Sequence, residues 1–296
     1  MNPTSANTRG ADRVRTIEDD VLRLIDIALA EDRGSGDWTS RWIVPARTRA
    51  RARIVSRASG VLAGLDPALA VFVRLDPRVH TEAQASDGET VEPGDVICEL
   101  NGPARAILTG ERVALNFLQR LSGVATHTRR FVEAAAGTGA RILDTRKTTP
   151  GWRTLEKAAV RAGGGTNHRR GLYDAVLVKD NHVAIAGGVS EAVRRIQESN
   201  TRALPVIVEV RDRAEVDEAL AAGVDRLLLD NMDVETMREV VRLARGRLPK
   251  ISLEASGNVT LERVRAIAET GVDFISVGAL THSATALDIS LDVLHP

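Results

Sequence analysis

Apolar positions follow three successive rhythms along this chain. Ile17, Val21, Leu24, Ile25 and Ala28 recur three and four residues apart, which predicts an amphipathic helix ended by Gly34-Ser35-Gly36-Asp37. Over residues 47–63 the period falls to two: Ala50, Ala52 and Ile54 alternate with Arg49, Arg51 and Arg53, as in a half-buried strand. Residues 79–85 and 96–100 read as further strands, with turns at Asp87-Gly88 and Glu92-Pro93-Gly94, and 67–74 reads as a helix. A long helical pattern over 109–136 is expected to break near Ser122-Gly123.

Beyond Arg141 the rhythm changes again. Short apolar runs at 142–143, 175–178, 206–208, 227–229, 251–253 and 274–277 alternate with helical patterns at 155–162, 191–199, 214–222, 234–244 and 261–270. Gly163, Gly223, Gly246 and Gly271 stand where helix C-caps are expected. Strand–helix alternation means parallel βα units with right-handed crossovers. No Gly-x-Gly-x-x-Gly follows a first strand, so a barrel is favoured over an open dinucleotide-binding sheet. The prediction is an α/β fold: an incomplete barrel of six to seven units behind an N-terminal α+β domain with a small sheet. The expected divisions are 1–122, with 1–15 a disordered tail, 123–279 for the barrel, and 280–296 returning to the first domain.

Composition narrows the function. At about 150 residues per domain, 296 residues suit two domains or one large barrel. The 40 basic and 40 acidic side chains cancel, which argues against nucleic-acid binding by bulk charge. No apolar run reaches the roughly 18 residues of a membrane span. The polar N-terminus lacks the apolar core of a secretion signal, and one cysteine, Cys98, makes no internal disulfide, so a reducing cytoplasm is expected. Only four basic residues are lysine: Lys147, Lys157, Lys179 and Lys250.

The chemistry gathers at strand ends. In order these are Asp144-Thr145-Arg146-Lys147, Lys179-Asp180-Asn181-His182, Glu209, Asp230-Asn231, Glu254-Ala255-Ser256-Gly257-Asn258 and Val277-Gly278-Ala279. Parallel βα folds bind ligands at this rim. Arg146, Lys147, His168, Arg169, Lys179 and His182 form a cation cluster on the first two units, which implies a polyanionic ligand. Two scarce lysines end consecutive strands, where a compact point charge differs from arginine's flat fork. Glu209 and Asp230 suit Mg²⁺ shared with phosphate oxygens, or sugar hydroxyls; a glycosidase pair is the rival use. The turns at Ser256-Gly257-Asn258 and Val277-Gly278-Ala279 suit a phosphate on backbone N–H groups. His80, His127, His282 and His295 have no metal-ligand spacing. Gly163-Gly164-Gly165 either caps a helix or lets the following loop close over a ligand.

Several long segments together resemble the quinolinate phosphoribosyltransferase family: Thr109-Gly110-Glu111-Arg112-Val113-Ala114-Leu115-Asn116-Phe117-Leu118-Gln119-Arg120-Leu121-Ser122-Gly123, Asp144-Thr145-Arg146-Lys147-Thr148-Thr149-Pro150-Gly151, Gly163-Gly164-Gly165-Thr166-Asn167-His168-Arg169 and Lys179-Asp180-Asn181-His182. Glu31-Asp32 with Gly36-Asp37-Trp38-Thr39-Ser40 completes the set, in the family's order and over nearly all the chain. Thr166 and Arg170 depart from the pattern, which leads us to expect apolar residues there.

The resemblance implies transfer of phosphoribosyl from phosphoribosyl pyrophosphate to quinolinate with loss of CO₂. The products are nicotinate mononucleotide and pyrophosphate, made with Mg²⁺ in de novo NAD biosynthesis. By the same resemblance Thr145, Arg146, His168, Arg169 and Lys179 bind quinolinate, and Lys147 meets pyrophosphate or a substrate carboxylate. Glu209 and Asp230 face ribose hydroxyls or Mg²⁺, with Lys147 and Lys179 beside them as the catalytic set. Ser256, Gly257, Asn258, Val277, Gly278 and Ala279 hold the 5′-phosphate. The family forms homodimers in which Arg112 enters the partner's site. A related enzyme for nicotinate fits the number of cations less well, and a non-catalytic sensor has no need of Glu209, Asp230, Lys147 and Lys179 together.

Overall fold

The computed structural model describes residues 17–294, so the N-terminal tail expected over 1–15 lies outside the described residues. Two compact units account for the chain. The first takes in the chain to His127, Thr149–Gly164 and the segment from Ala284; the second is Thr128–Thr148 with Gly165–Ser283.

In the first unit, α1 (Asp19–Arg33) buries Val21, Ile25 and Leu29, the stripe the helical spacing predicts. Asp37 caps α2 (Trp38–Ile43), its side chain accepting the Ser40 N–H at 2.9 Å. The alternating arginine segment is β1 (Arg49–Ser56), followed by the short β2 (Gly60–Val61) and the buried helix α3 (Leu65–Leu75). Then come β3 (His80–Ala83), β4 (Thr90–Val91) and β5 (Val96–Pro103). An antiparallel sheet runs in the order β12 (Ile289–Leu294), β1, β5, β3, and β2 pairs separately with β4.

The long helix α4 (Ala104–Ala134) continues through Ser122-Gly123, against the expected break. Tertiary packing explains the pair. The Ser122 hydroxyl accepts the Ala63 N–H at 3.0 Å, and a Cβ on Gly123 would stand 2.1 Å from the Thr285 carbonyl oxygen. The glycine therefore allows close backbone approach, which outweighs its roughly 1 kcal/mol helix penalty. Helix α5 (Arg153–Ala162) also belongs to this unit, and Trp152 before it stacks on Phe117 with ring centroids 4.8 Å apart.

The second unit repeats strand and helix: β6 (Arg141–Leu143), β7 (Val176–Val178), α6 (Asp180–Ala186), α7 (Val189–Ser199), β8 (Val206–Val210), α8 (Arg213–Ala221), β9 (Arg226–Asp230), α9 (Val234–Arg247), β10 (Ser252–Ser256), α10 (Leu261–Ala268), β11 (Phe274–Ser276) and α11 (Ala279–His282). The six strands are all parallel, in the order β6-β11-β10-β9-β8-β7. The incomplete barrel expected from the sequence is thus a six-strand sheet, and among the described residues no ladder joins β7 to β6. A single bridge, Leu143 to Thr166, extends the β6 edge.

All six predicted strands are present, and Gly163 is a helix C-cap as expected, but the other three glycine caps shift. Gly246 lies inside α9, one residue before its end. Gly163 caps α5 in right-handed backbone, and the left-handed residue is Gly164 at φ +89°. Gly223 and Gly271, at φ +71° and +92°, stand one and two residues beyond the C-caps Ala222 and Glu269. Helix α6 escapes periodicity because it has no buried residue. No helix among the described residues is long and apolar enough to cross a membrane.

Candidate active site at the strand ends

Strand periodicity brings the polar residues together. Paired positions across the sheet are Leu177 with Ile207, Glu209 with Leu228, Leu228 with Glu254, Glu254 with Phe274, and Ser276 with Leu143. Side chains two apart share a face. Stepping two residues along from this row gives Glu209, Asp230 and Ser256 at the carboxyl ends of one face, with Thr145, Lys179 and Gly278 just past the ends of β6, β7 and β11. Beneath them that face is partly apolar, where Ala175, Ile207 and Leu228 form a buried cluster with Leu177. In the same row as Leu228, Phe274 has two guanidinium groups over its ring, Arg226 at 4.2 Å and Arg141 at 4.5 Å from the centroid.

The loop after β6 and the segment 165–169 are fastened by Asp144, which is fully buried. Its carboxylate accepts Asn167 Nδ2 at 2.6 Å and the His168 N–H at 2.8 Å. Arg169 then reaches the Ala175 carbonyl at 3.1 Å. Burial first, and then the positive charge of Arg146, hold its guanidinium below the ordinary arginine value. Two half-buried arginines that repel one another make an anion site. The extra Arg170 is exposed, and its N–H donates to Asp174 at 2.6 Å. Thr166, the other departure, pairs its backbone with β6, its N–H donating to the Ile142 carbonyl at 2.8 Å.

Lys147 is exposed and tied at both backbone ends. Its N–H donates to Thr145 Oγ1 at 3.0 Å, and its carbonyl accepts Thr281 Oγ1 at 2.8 Å. A Cβ on Gly278 would sit 3.0 Å from Lys147 Cδ, so the glycine leaves room for the lysine stem. Lys179 is exposed at the start of α6, and its N–H donates to His182 Nδ1 at 3.0 Å. His182 therefore serves as a local cap beside the lysine.

Glu209 and Asp230 face one another electrostatically. Burial is the main reason the Glu209 carboxyl lies above the ordinary carboxylate range; Asp230 pushes it further, while Lys179 and the Asp180 backbone N–H pull it down. Two carboxylates in mutual repulsion suit a cation or hydroxyl donors placed between them. Among the described residues no group of three or more His, Cys, Asp or Glu is placed to hold a metal. Mg²⁺ accepts that arrangement, since it commonly uses one or two carboxylates and completes its shell with water and phosphate oxygens.

One carboxylate was missed as a site residue. Glu254, fully buried in β10, accepts Arg226 Nη1 at 3.0 Å, the Ser276 hydroxyl, and His168 Nε2 at 3.3 Å. Burial alone would raise its pKa; hydrogen bonds from His168, Ser276 and Arg226 bring it below the ordinary carboxylate value. His168 Nδ1 in turn accepts the Arg169 N–H at 2.6 Å. Both ring nitrogens of this predicted quinolinate ligand thus have partners in the protein. A charge enclosed by buried Leu253 and Ala255 was the signal in the sequence. The remaining predicted residue, Arg112, lies exposed on α4 of the first unit.

A parallel βα sheet with arginines, lysines, two facing carboxylates and glycine turns at one rim defines an enzyme built to handle polyanionic substrates. The comparisons with known proteins give its kind. Models of the quinolinate phosphoribosyl transferase N-terminal and C-terminal domains match residues 37–122 and 124–292, and the chain belongs to that family. It is 46% identical over 266 residues to a probable nicotinate-nucleotide pyrophosphorylase [carboxylating] of Synechocystis sp., covering 90% of each chain. A Bacillus subtilis protein of the same description is 44% identical, over 92% of each. The structure of the nicotinate-nucleotide pyrophosphorylase from Francisella tularensis superposes with a TM-score of 0.87 at 41% identity, covering 95% of this chain and 99% of that one.

Proposed function

We propose that this chain transfers the phosphoribosyl group of phosphoribosyl pyrophosphate to quinolinate and releases CO₂. Nicotinate mononucleotide and pyrophosphate are the other products, in NAD biosynthesis. The observation that carries the reading is the rim at the carboxyl ends of the parallel strands, where Thr145, Lys179, Glu209, Asp230, Ser256 and Gly278 follow one another with the half-buried Arg146 and Arg169.

Quinolinate's two carboxylates meet Arg146, Arg169 and Lys179, with Thr145 alongside and His168 in the wall, held by Glu254. Lys147 faces the pyrophosphate or the nearer carboxylate. The 5′-phosphate sits on the turn Ser256-Gly257-Asn258 and on the N–H groups of Gly278 and Ala279; the Val277 N–H, expected to join them, donates instead to the Leu143 carbonyl at 2.9 Å. Glu209 and Asp230 face the ribose hydroxyls and oppose the positive charge that grows at the anomeric carbon as its bond to pyrophosphate breaks. The ring nitrogen then gives its electron pair to that carbon and becomes quaternary. Loss of the neighbouring carboxylate as CO₂ leaves an electron pair on the ring, stabilised by the positive nitrogen until a proton takes it. Glu209 and Asp230 would hold Mg²⁺, which would supply charge neutralisation on the pyrophosphate. The single cysteine, Cys98, is buried, its thiol donating to the Glu99 carbonyl at 3.3 Å, in keeping with a reducing cytoplasm.

The test incubates the protein with Mg²⁺, phosphoribosyl pyrophosphate and either quinolinate or nicotinate, following CO₂ and nucleotide. Loss of one charge-assisted contact should weaken nicotinate at least about tenfold relative to quinolinate. Equal turnover of the two acids would sink the assignment.

Arg112 serves the neighbouring subunit of a homodimer in this reading, an arrangement suited to its exposure on α4. Arg112→Ala and Lys179→Ala, each inactive alone, should regain activity when mixed under subunit exchange, because one site of each mixed dimer then carries neither lesion. Activity that stays absent after exchange is verified would return Arg112 to its own subunit.

A further inference from the structure

Among the described residues three that are not glycine hold left-handed backbone: Ala203, Asn231 at φ +55° and Asn258 at φ +46°. The two asparagines touch one another at the rim. Asparagine reaches this region more readily than most residues, yet such a conformation persists only where its surroundings fix it. Around Asn231 they do. Its N–H donates to the Ser256 carbonyl at 2.9 Å. Its Oδ1 accepts Asn258 Nδ2 at 3.0 Å, and its Nδ2 donates to Asp230 Oδ2 at 2.9 Å. Gly257, at φ +89°, presses against the same amide: a Cβ there would lie 2.2 Å from Asn231 Oδ1.

One amide thus has its acceptor on the loop after β10 and its donor on the carboxylate that ends β9. We propose that Asn231 is the positioning residue of the phosphoribosyl half of the site. It fixes the direction of Asp230 and the shape of Ser256-Gly257-Asn258 with a single side chain. The inference rests on the assignment above of Asp230 to the ribose and of that loop to the 5′-phosphate. The chemistry requires an amide. A carboxylate would set an oxygen against Asp230 with no proton between them, and any Cβ on the facing glycine would collide with the amide. Ribose and phosphate then meet groups that are already arranged, so less ordering is left for the moment of binding.

Two variants test this. Asn231→Gly keeps the left-handed backbone and deletes the bridge; Asn231→Asp keeps the shape and the acceptor and removes the donor. Calorimetric titrations of each, with phosphoribosyl pyrophosphate plus Mg²⁺ and separately with quinolinate, are compared with thermal midpoints and with the KM of each substrate. The expected result is a loss of affinity for phosphoribosyl pyrophosphate of about tenfold or more, with quinolinate affinity unchanged. Equal weakening of both ligands, no weakening of either, or failure of both variants to fold would overturn the proposal. Unaltered chain that binds no phosphoribosyl pyrophosphate would instead overturn the assignment beneath it.

Discussion

Replacing Lys179 with Met should leave the fold standing and lower kcat/KM by roughly a hundredfold or more, the scale of losing one charged donor at a reacting centre. Met keeps the apolar stem, and the lysine side chain is exposed, so little packing is lost. The charge is another matter. Lys179 is the group whose positive charge draws Glu209 down against the upward push of burial and Asp230. Without it the Glu209 carboxyl moves higher, so the acidic limb of the pH–rate profile should shift toward neutral pH as well as the rate falling. An unaltered rate at saturating substrate, with an unaltered profile, would reduce Lys179 to a solvated rim residue.

The second large effect concerns stability. Glu254→Ala leaves Arg226, Ser276 and His168 facing a vacated pocket beneath the rim, and removing one partner of a buried charge network costs about 3–5 kcal/mol. Denaturant unfolding should show that loss. Glu254→Gln keeps the volume and should recover part of it. The sign of the pH dependence follows from the depressed carboxyl of Glu254. Its contribution is present above the ordinary carboxylate value and is lost as pH falls through its lower native value. Acidification should therefore destabilise the unaltered protein more than Glu254→Gln. Identical acid sensitivity of the two would remove Glu254 from the account.

The alternation of strands and helices was legible because each strand is a short, continuous apolar run closed by a polar signature, and glycines such as Gly223 and Gly271 mark helix ends. Asp144, Lys179, Glu209 and Asp230 stand out for a related reason: a charge that ends an apolar strand has one direction in which to point. Contacts distant in sequence were not legible. Gly123 looks like a helix breaker until Thr285 is seen against it. Glu254 and Asn231 look like ordinary members of a strand-end motif, since their meaning lies in partners on three other strands and on a neighbouring loop. Helix α6 was hidden for the opposite reason: with no buried side chain it carries no apolar stripe to read.

The pairing of β12 with β1 joins strands that lie far apart in the order of synthesis. Arg57, just past β1, donates to Asp292 across 235 residues of chain, and Ser56 faces Ile289 in the ladder. A ribosome releasing the chain from its N-terminus exposes one edge of β1 until β12 emerges, and an open edge strand invites pairing with other chains. The arginines that alternate along β1 are a deterrent to such pairing while it waits. The first sheet is therefore completed only after β12 has emerged. Chains truncated before Ile289 should carry a permanent exposed edge and collect in aggregates.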